Sequence, residues 1–228
     1  MKKLKAIIFD LDDTLYLERD FVKSGFIAVS TYLSSHYHLN NNDSFDILWN
    51  MFCSGRRGDL FNELLNSLPE YDITVQDLIK VYRQHKPVIK PLKNVTQLLE
   101  SHAKKQKLGL LSDGYFEVQK NKFVALGLQK YFSSVLFTDE LGRNNWKPSI
   151  VPFKKILDTL NVNPNESVYI ADNPEKDFKG PNQLGMNTIR IRLKGGEHYN
   201  KKPQSADYSS MQTVFSIQEL SEELDISI

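Results

Sequence analysis

Five short apolar runs divide the chain, and amphipathic stretches separate the later ones. The runs are mostly continuous rather than strictly alternating, which is typical of parallel strands covered on both faces. In chain order they are AIIFD from Ala6, KLGLLSD from Lys107, SVLFT from Ser134, SVYIAD from Ser167 and TIRIRL from Thr188. The stretches between the later runs have helical spacing, and Gly127 marks the expected end of one helix. The pattern predicts a doubly wound parallel α/β sheet, which binds ligands beyond the carboxyl ends of its strands.

The segment from residue 16 to residue 90 has a different pattern. Its apolar residues recur at helical spacing, and Thr74 with Asp77 resembles a capping box at the start of a helix. We therefore predict an all-helical cap domain at residues 16–90. The α/β core domain is predicted to comprise residues 1–15 and 91–228, so that the cap is an insertion after the first strand.

Composition narrows the class of protein without pointing to a function. Hydrophobic residues make up 40% of the chain and charged residues 25%, as in ordinary globular proteins, and the formal net charge is +1. Such a charge provides no global attraction to nucleic acid or to an anionic membrane, and no apolar stretch approaches the length of a membrane span. Cys53, the single cysteine, excludes an intramolecular disulfide, and we expect it to be buried. We expect a cytoplasmic protein with neither a nucleic-acid nor a membrane partner, and its oligomeric state is open.

Three carboxylates in four positions, Asp10, Asp12 and Asp13, directly follow the first predicted strand. Such proximity requires a compensating cation, and Mg²⁺ is suitable because it prefers oxygen ligands and usually takes one or two carboxylates. Asp10 could act as a nucleophile toward phosphorus, and Asp12 could move a proton to and from the reacting oxygens. Thr14 supplies a hydroxyl in the same turn.

Further polar residues follow the later strands or precede a helix: Ser112, Asp113 and Gly114; Lys147; and Asp172 with Asp177. The serine hydroxyl and the free amides of the glycine-containing turn could hold phosphate oxygens. The lysine, placed just before Pro148 is predicted to open a helix, could neutralise a nucleophile and a transferring phosphoryl group. The last two aspartates could complete a metal site.

The order D-x-D-x-T, strand-terminal serine, K-P and D-x₄-D resembles the haloacid dehalogenase superfamily, specifically its phosphatases with a helical cap after the first motif. The resemblance covers roughly residues 4–15 and 91–220, whereas the cap agrees only in position and helicity. It implies a Rossmann-like core, a dependence on Mg²⁺ and an aspartyl-phosphate intermediate. It also implies that Asp10 is the nucleophile and Asp12 the general acid and base.

The resemblance implies roles for the remaining residues as well. The Asp10 side chain, the Asp12 backbone carbonyl and Asp172 would hold Mg²⁺. Ser112 and Lys147 would orient the phosphoryl group, and Asp177 would support Lys147 or the water molecules of the metal.

The chain departs from the family pattern at three positions: Asp13 and Ala171, where glycine is common, and Asp113, where asparagine is frequent. None of these changes removes a catalytic group. Asp113 adds negative charge near the expected phosphate site, and Ala171 could tighten the metal loop.

We expect an Mg²⁺-dependent phosphohydrolase of a small phosphomonoester, such as a sugar phosphate or a nucleoside monophosphate. A sugar phosphomutase would need the same residues. A 2-haloacid dehalogenase would use the aspartate nucleophile without a metal, which Asp12 and the acidic metal loop argue against. A non-catalytic binding protein on the same scaffold is a further alternative. Arg56 and Arg57 of the cap could contact an anionic substrate, although a solvent-facing loop is the simpler interpretation.

Overall fold

The computed structural model describes residues 4–68 and 71–226, so residues 1–3, 69–70 and 227–228 of the predicted domains lie outside the described part. The chain folds into two compact units. The first unit runs up to Arg19 and resumes at Lys90, and the second unit is Asp20–Ile89. Tyr16 and Glu18 lie in the first unit, where the Tyr16 hydroxyl donates to Asp12 and the Glu18 amide donates to Asp13. Within the described ranges, no helix is long and apolar enough to cross a membrane.

The first unit is built on a six-stranded sheet. Its strands are β1 (Ala6–Phe9), β2 (Lys107–Ser112), β3 (Ser134–Phe137), β4 (Ser167–Ala171), β5 (Asn187–Ile191) and β6 (Gln212–Val214). They lie in the order β3-β2-β1-β4-β5-β6, and every neighbouring pair is parallel. The predicted parallel α/β sheet is therefore confirmed. The sequence pattern missed β6, because only Val214 of its three residues is buried.

The helices of both units are α1 (Glu18–Tyr37), α2 (Asn41–Cys53), α3 (Leu60–Asn66), α4 (Val75–Gln84), α5 (Val95–Ala103), α6 (Phe116–Leu126), α7 (Val151–Leu160), α8 (Lys179–Leu184) and α9 (Ile217–Ile226). Helix α6 ends at Gly127 with φ 67°, as its sequence predicts. The prediction that Pro148 opens a helix is wrong: α7 begins at Val151. Pro152 lies in its first turn, where proline lacks an N–H that would be unpaired in any case.

Both faces of the sheet are covered, which explains why β1 is buried at every position. On one face Ala6 and Ile8 join a cluster with Phe153 and Ile156 of α7. On the other face the ring of Phe9 contacts Phe132, which in turn contacts Phe123 of α6. Alternate strand residues thus pack against helices on opposite sides, the arrangement that continuous apolar runs predict. Polar residues follow the carboxyl ends of β1 and β4, where Asp10 and Asp172 lie.

The second unit is a helical cluster with its own apolar core. Phe26, Val29, Leu33, Leu48, Phe52, Leu64 and Leu78 from α1 to α4 form its buried centre. The capping box is confirmed: the Thr74 hydroxyl accepts from the Asp77 amide, and the Asp77 carboxylate accepts from the Thr74 amide. The prediction that Cys53 is buried is wrong, because it lies one position beyond Phe52 and therefore faces away from the core.

Candidate active site

The predicted polar residues meet at the carboxyl ends of three neighbouring strands. Asp10 follows β1, Ser112 ends β2 and Asp172 follows β4, and both β2 and β4 pair with β1. The Asp10 amide donates to the Ile170 carbonyl at 2.8 Å, which ties the start of the first motif to β4. Strand order reverses between β1 and β4, and doubly wound sheets bind ligands at such a switch point.

Three carboxylates form a tight cluster at this point. Oxygens of Asp10, Asp172 and Asp177 all lie within 4.8 Å of one another, and the three residues are buried. Burial raises the pKa of Asp10 to about 7, because lost hydration and the nearby Asp177 outweigh the attraction of Lys147. Burial, followed by repulsion from Asp177 and Asp13, raises the pKa of Asp172 well above its ordinary value. An oxygen cluster that resists ionisation fits a divalent cation, which would stabilise the charged forms.

Among the described residues, Lys147 has the only ammonium group in contact with this cluster of carboxylates. Its Nζ lies 2.7 Å from Asp10 Oδ1 and 2.7 Å from Asp177 Oδ1, and it donates to the Tyr169 hydroxyl at 2.9 Å. Burial opposes the charge on Lys147, but the two carboxylates raise its pKa well above the ordinary value. The lysine is therefore a fixed positive charge beside Asp10.

Asp113 does not extend freely toward a phosphate site. Its Oδ1 accepts from the Thr138 hydroxyl at 2.7 Å and from the Lys147 amide at 3.2 Å, while Lys176 Nζ lies 3.2 Å from its Oδ2. Burial would raise its pKa, but Lys147 and Lys176 lower it below the ordinary value. The carboxylate thus anchors the backbone that carries Lys147, a contact that the sequence did not indicate.

Asp12 belongs to a second polar cluster of the first unit. Its Oδ1 accepts from the Tyr16 hydroxyl and from Lys122 Nζ, the latter at 2.8 Å, and its Oδ2 accepts from Gln119 Nε2 at 2.7 Å. Burial opposes ionisation of Asp12, yet Lys122 and these hydrogen bonds lower its pKa below the ordinary value. Gln119 Nε2 also donates to Ser112 Oγ at 2.8 Å, which links the cluster to β2.

The turn after β1 explains one departure from the family pattern. Asp13 has φ 48°, a left-handed conformation that favours glycine but that aspartate also adopts. Its carboxylate accepts from the Glu18 amide at 2.9 Å and from the Glu197 amide at 2.8 Å. Asp13 therefore has a structural reason for replacing glycine here.

Two smaller residues of the predicted site are also buried or constrained. The Thr14 hydroxyl is buried and has no hydrogen-bond partner within residues 4–68 and 71–226. Gly114 has φ 130°, and a Cβ at this position would lie 3.0 Å from the Gln119 side chain. A side chain at position 114 would therefore crowd Gln119, whose amide donates to Asp12 and Ser112.

The structure brings together some predicted site residues and separates others. Asp10, Asp172, Asp177 and Lys147 share one cluster, whereas the Asp12 side chain is held by α6. The metal set predicted from the sequence also included the Asp12 backbone carbonyl, and that assignment stays a prediction.

The predicted cap arginines have partners within the second unit. Arg56 pairs with Asp59 and Glu63, at 2.8 and 2.9 Å. The guanidinium of Arg57 lies 3.8 Å from the ring centroid of Phe52. These contacts agree with the simpler interpretation of the arginines as part of a surface loop.

Sequence reasoning missed five residues that contact the predicted site: Gln119, Lys122, Thr138, Tyr169 and Lys176. Only the three-residue spacing of Gln119 and Lys122 on α6 was a usable signal, since it places both side chains on one helix face. Neither apolar periodicity nor a turn motif marks the others.

A parallel sheet with acidic residues at its switch point defines a Rossmann-like α/β protein. The chain belongs to the haloacid dehalogenase-like hydrolase family, whose sequence profile matches residues 7–191. The family expected from the four motifs is therefore confirmed, and so is the expectation of an enzyme of the hydrolase class.

Individual relatives agree with this family assignment. The chain is 31% identical over 224 residues to the glyceraldehyde 3-phosphate phosphatase of Methanocaldococcus jannaschii, covering 95% of both chains. It is 25% identical to the pyrophosphatase PpaX of Bacillus mycoides, covering 85% of this chain and 86% of the relative. The structure of YfnB from Bacillus subtilis superposes with a TM-score of 0.70 at 18% identity, covering 98% of this chain and all of the other. That last likeness establishes the fold.

Proposed function

We propose that the protein is an Mg²⁺-dependent phosphohydrolase of a small phosphomonoester and that it forms an aspartyl-phosphate on Asp10. The observation that carries this proposal is the meeting of Asp10, Asp172 and Asp177 with Lys147 at the switch point of the sheet. A carboxylate next to a fixed ammonium and a cation-binding cluster suits attack on an anionic phosphoryl group.

The residues of the first unit divide the chemistry between them. Asp10 attacks phosphorus, and Asp12 gives a proton to the leaving oxygen and later takes one from the attacking water. Lys147 offsets the charge of Asp10 and of the phosphoryl oxygens. Ser112 and the buried Thr14 hydroxyl are suited to hold those oxygens, with the amides of the Asp113–Gly114 turn.

The Asp10 and Asp172 side chains and the Asp12 backbone carbonyl are proposed to hold Mg²⁺, with Asp177 keeping Lys147 in place. When bound, the ion supplies positive charge that lets two anionic groups approach each other. The clustering of acidic oxygens supports this assignment, because three buried carboxylates, once ionised, would carry more negative charge than one lysine can offset.

The substrate is proposed to be a small sugar phosphate. A relative 31% identical over most of both chains is named for glyceraldehyde 3-phosphate, and PpaX is named for pyrophosphate. The shared element in these names is a phosphoryl group on a small molecule. We also propose that the second unit is the cap domain of the enzyme.

The test is phosphate release from a panel of triose, pentose and hexose phosphates and nucleoside monophosphates, with Mg²⁺ and with a chelator. We expect turnover that requires Mg²⁺ and disappears in Asp10→Asn and Asp12→Ala. Asp158→Asn is the matched control, because Asp158 is an exposed aspartate of α7. Absence of turnover across the panel would refute the proposal, and activity in either of the first two variants would refute the assigned roles.

Product analysis separates the alternatives. Phosphorus NMR distinguishes free phosphate from a phosphoryl group moved to another sugar hydroxyl, which a mutase would produce. Chloride release from a 2-haloacid without Mg²⁺ would instead identify a dehalogenase.

A further inference from the structure

The carboxylate of Asp12 is held by three donors, two of which come from a helix more than a hundred residues away. Lys122 Nζ lies 2.8 Å from Oδ1, and Gln119 Nε2 lies 2.7 Å from Oδ2, both extending from α6. The Tyr16 hydroxyl donates to Oδ1 from the first turn. The donors are buried, since the Lys122 side chain is only 4% exposed, whereas the Asp12 side chain is 20% exposed.

A buried lysine, unlike a lysine on the surface, requires a compensating interaction. Removing an ammonium group from water is unfavourable unless a well-placed anion compensates for the lost hydration. Helix α6 carries another lysine, Lys120, which is exposed to solvent. Lys122 is instead directed at Asp12, with Glu18 at the longer distance of 3.5 Å. The main partner of the buried Lys122 ammonium is therefore the carboxylate of Asp12.

The hydrogen bonds treat the two oxygens of Asp12 unequally. A carboxylate offers about four lone-pair positions, two on each oxygen. Tyr16 and Lys122 occupy both positions on Oδ1, whereas Gln119 occupies one position on Oδ2. The second N–H of the Gln119 amide donates to Ser112 Oγ, so this amide cannot rotate without breaking two bonds. Oδ2 is consequently the oxygen with room for a proton.

We infer that Gln119 and Lys122 are positioning residues that orient Asp12 for proton transfer through Oδ2. The inference rests on the proposed function. In the first step, the ester P–O bond breaks as an Asp10 oxygen bonds to phosphorus, and a proton that Asp12 Oδ2 has taken up from water passes to the departing oxygen. In the second step, water bonds to phosphorus as the Asp10–phosphorus bond breaks, and a proton of that water passes to the same Oδ2.

The test compares leaving groups within single preparations of each variant. p-Nitrophenyl phosphate releases a stable anion and needs little help from an acid, whereas an alkyl phosphate such as a sugar phosphate needs a proton. The constant kcat/KM covers the steps up to leaving-group departure, so the ratio of the two kcat/KM values reports proton donation. This ratio does not depend on the fraction of protein that is folded.

In Gln119→Leu we expect kcat/KM for the alkyl phosphate to fall about 10- to 100-fold. Lys122→Met should lower it less, because removal of the ammonium also favours the protonated form of Asp12. The value for p-nitrophenyl phosphate should fall less than about 3-fold, while its kcat falls further because water attack also uses Asp12. Lys122→Arg should recover part of the ratio, and the exposed control Lys120→Met should leave it unchanged. Gln119→Leu keeps the test decisive if Lys122→Met does not fold.

Equal losses for both substrates would overturn the inference, because a merely structural role lowers all activities together. That result would leave the proposed function standing, since the wild-type protein would still release phosphate from both substrates. If the wild-type protein turned over neither substrate, both the proposed function and this inference would be overturned.

Discussion

Removing the negative charge of Asp10 should stabilise the metal-free protein at neutral pH. Burial raises the pKa of Asp10 from 3.8 to about 7 despite the nearby ammonium of Lys147. Because the folded state then binds the proton more tightly than the unfolded state, stability is highest below the ordinary pKa. This contribution is lost as the pH rises from about 4 to about 7.

The pKa values set the expected size of the effect. A rise of about three pKa units corresponds to about 4 kcal/mol at pH 7.5, at about 1.4 kcal/mol per unit. At pH 5 Asp10 is protonated in the folded state but largely ionised in the unfolded state. The same arithmetic then gives a difference in unfolding free energy of about 2 kcal/mol. Asp10→Asn, which carries no charge at any pH, should therefore exceed the wild-type stability by these amounts in the presence of a chelator.

Thermal unfolding at the two pH values is the assay. For a chain of this length, about 4 kcal/mol corresponds to a rise in Tm of roughly 8–16 °C, and the gap should be about half as large at pH 5. Asp158→Asn, an exposed change of the same type, should shift Tm little at either pH. Excess Mg²⁺ should raise the Tm of the wild-type protein more than that of Asp10→Asn, because the cation relieves the same repulsion.

If Asp10→Asn melted at or below the wild-type Tm at pH 7.5 without metal, the Lys147 pair would outweigh the cost of burying the Asp10 charge. The cluster of acidic residues would then not need a cation for its stability.

Other changes have equally defined outcomes. Lys147→Met should lower kcat about 10²- to 10³-fold in the phosphate-release assay, and Lys147→Arg should not restore it, because a planar guanidinium cannot reproduce contacts with Asp10, Asp177 and Tyr169. Lys176, whose side chain is 34% exposed beside Asp113, should assist phosphate binding, so Lys176→Met should raise KM several-fold, whereas the exposed control Lys154→Met should not. Thr74→Ala removes the capping hydroxyl of α4 and should lower the unfolding free energy by about 1 kcal/mol in urea titrations, without a direct effect on chemistry.

Much of the core sheet could be predicted from sequence because its determinants are local. The runs that became β1 to β5 are continuous apolar stretches, and a strand buried on both faces requires that pattern wherever it lies in the chain. The capping box at Thr74 and the helix end at Gly127 are similarly local, since each depends on residues a few positions apart. The failures have local causes too: β6 exposes two of its three residues, and Pro152 rather than Pro148 lies in the first turn of α7.

Local sequence patterns therefore indicated which aspartates follow strands and which lysine precedes a helix, and hence the family to which the chain belongs. The contacts of each of those side chains depend on the tertiary structure. Asp113 holds the backbone of Lys147, and Asp12 is gripped by Gln119 and Lys122 of α6. These partners lie 34, 107 and 110 positions away along the chain. Strand order and helix packing bring them together, and no pattern of neighbouring residues encodes that approach.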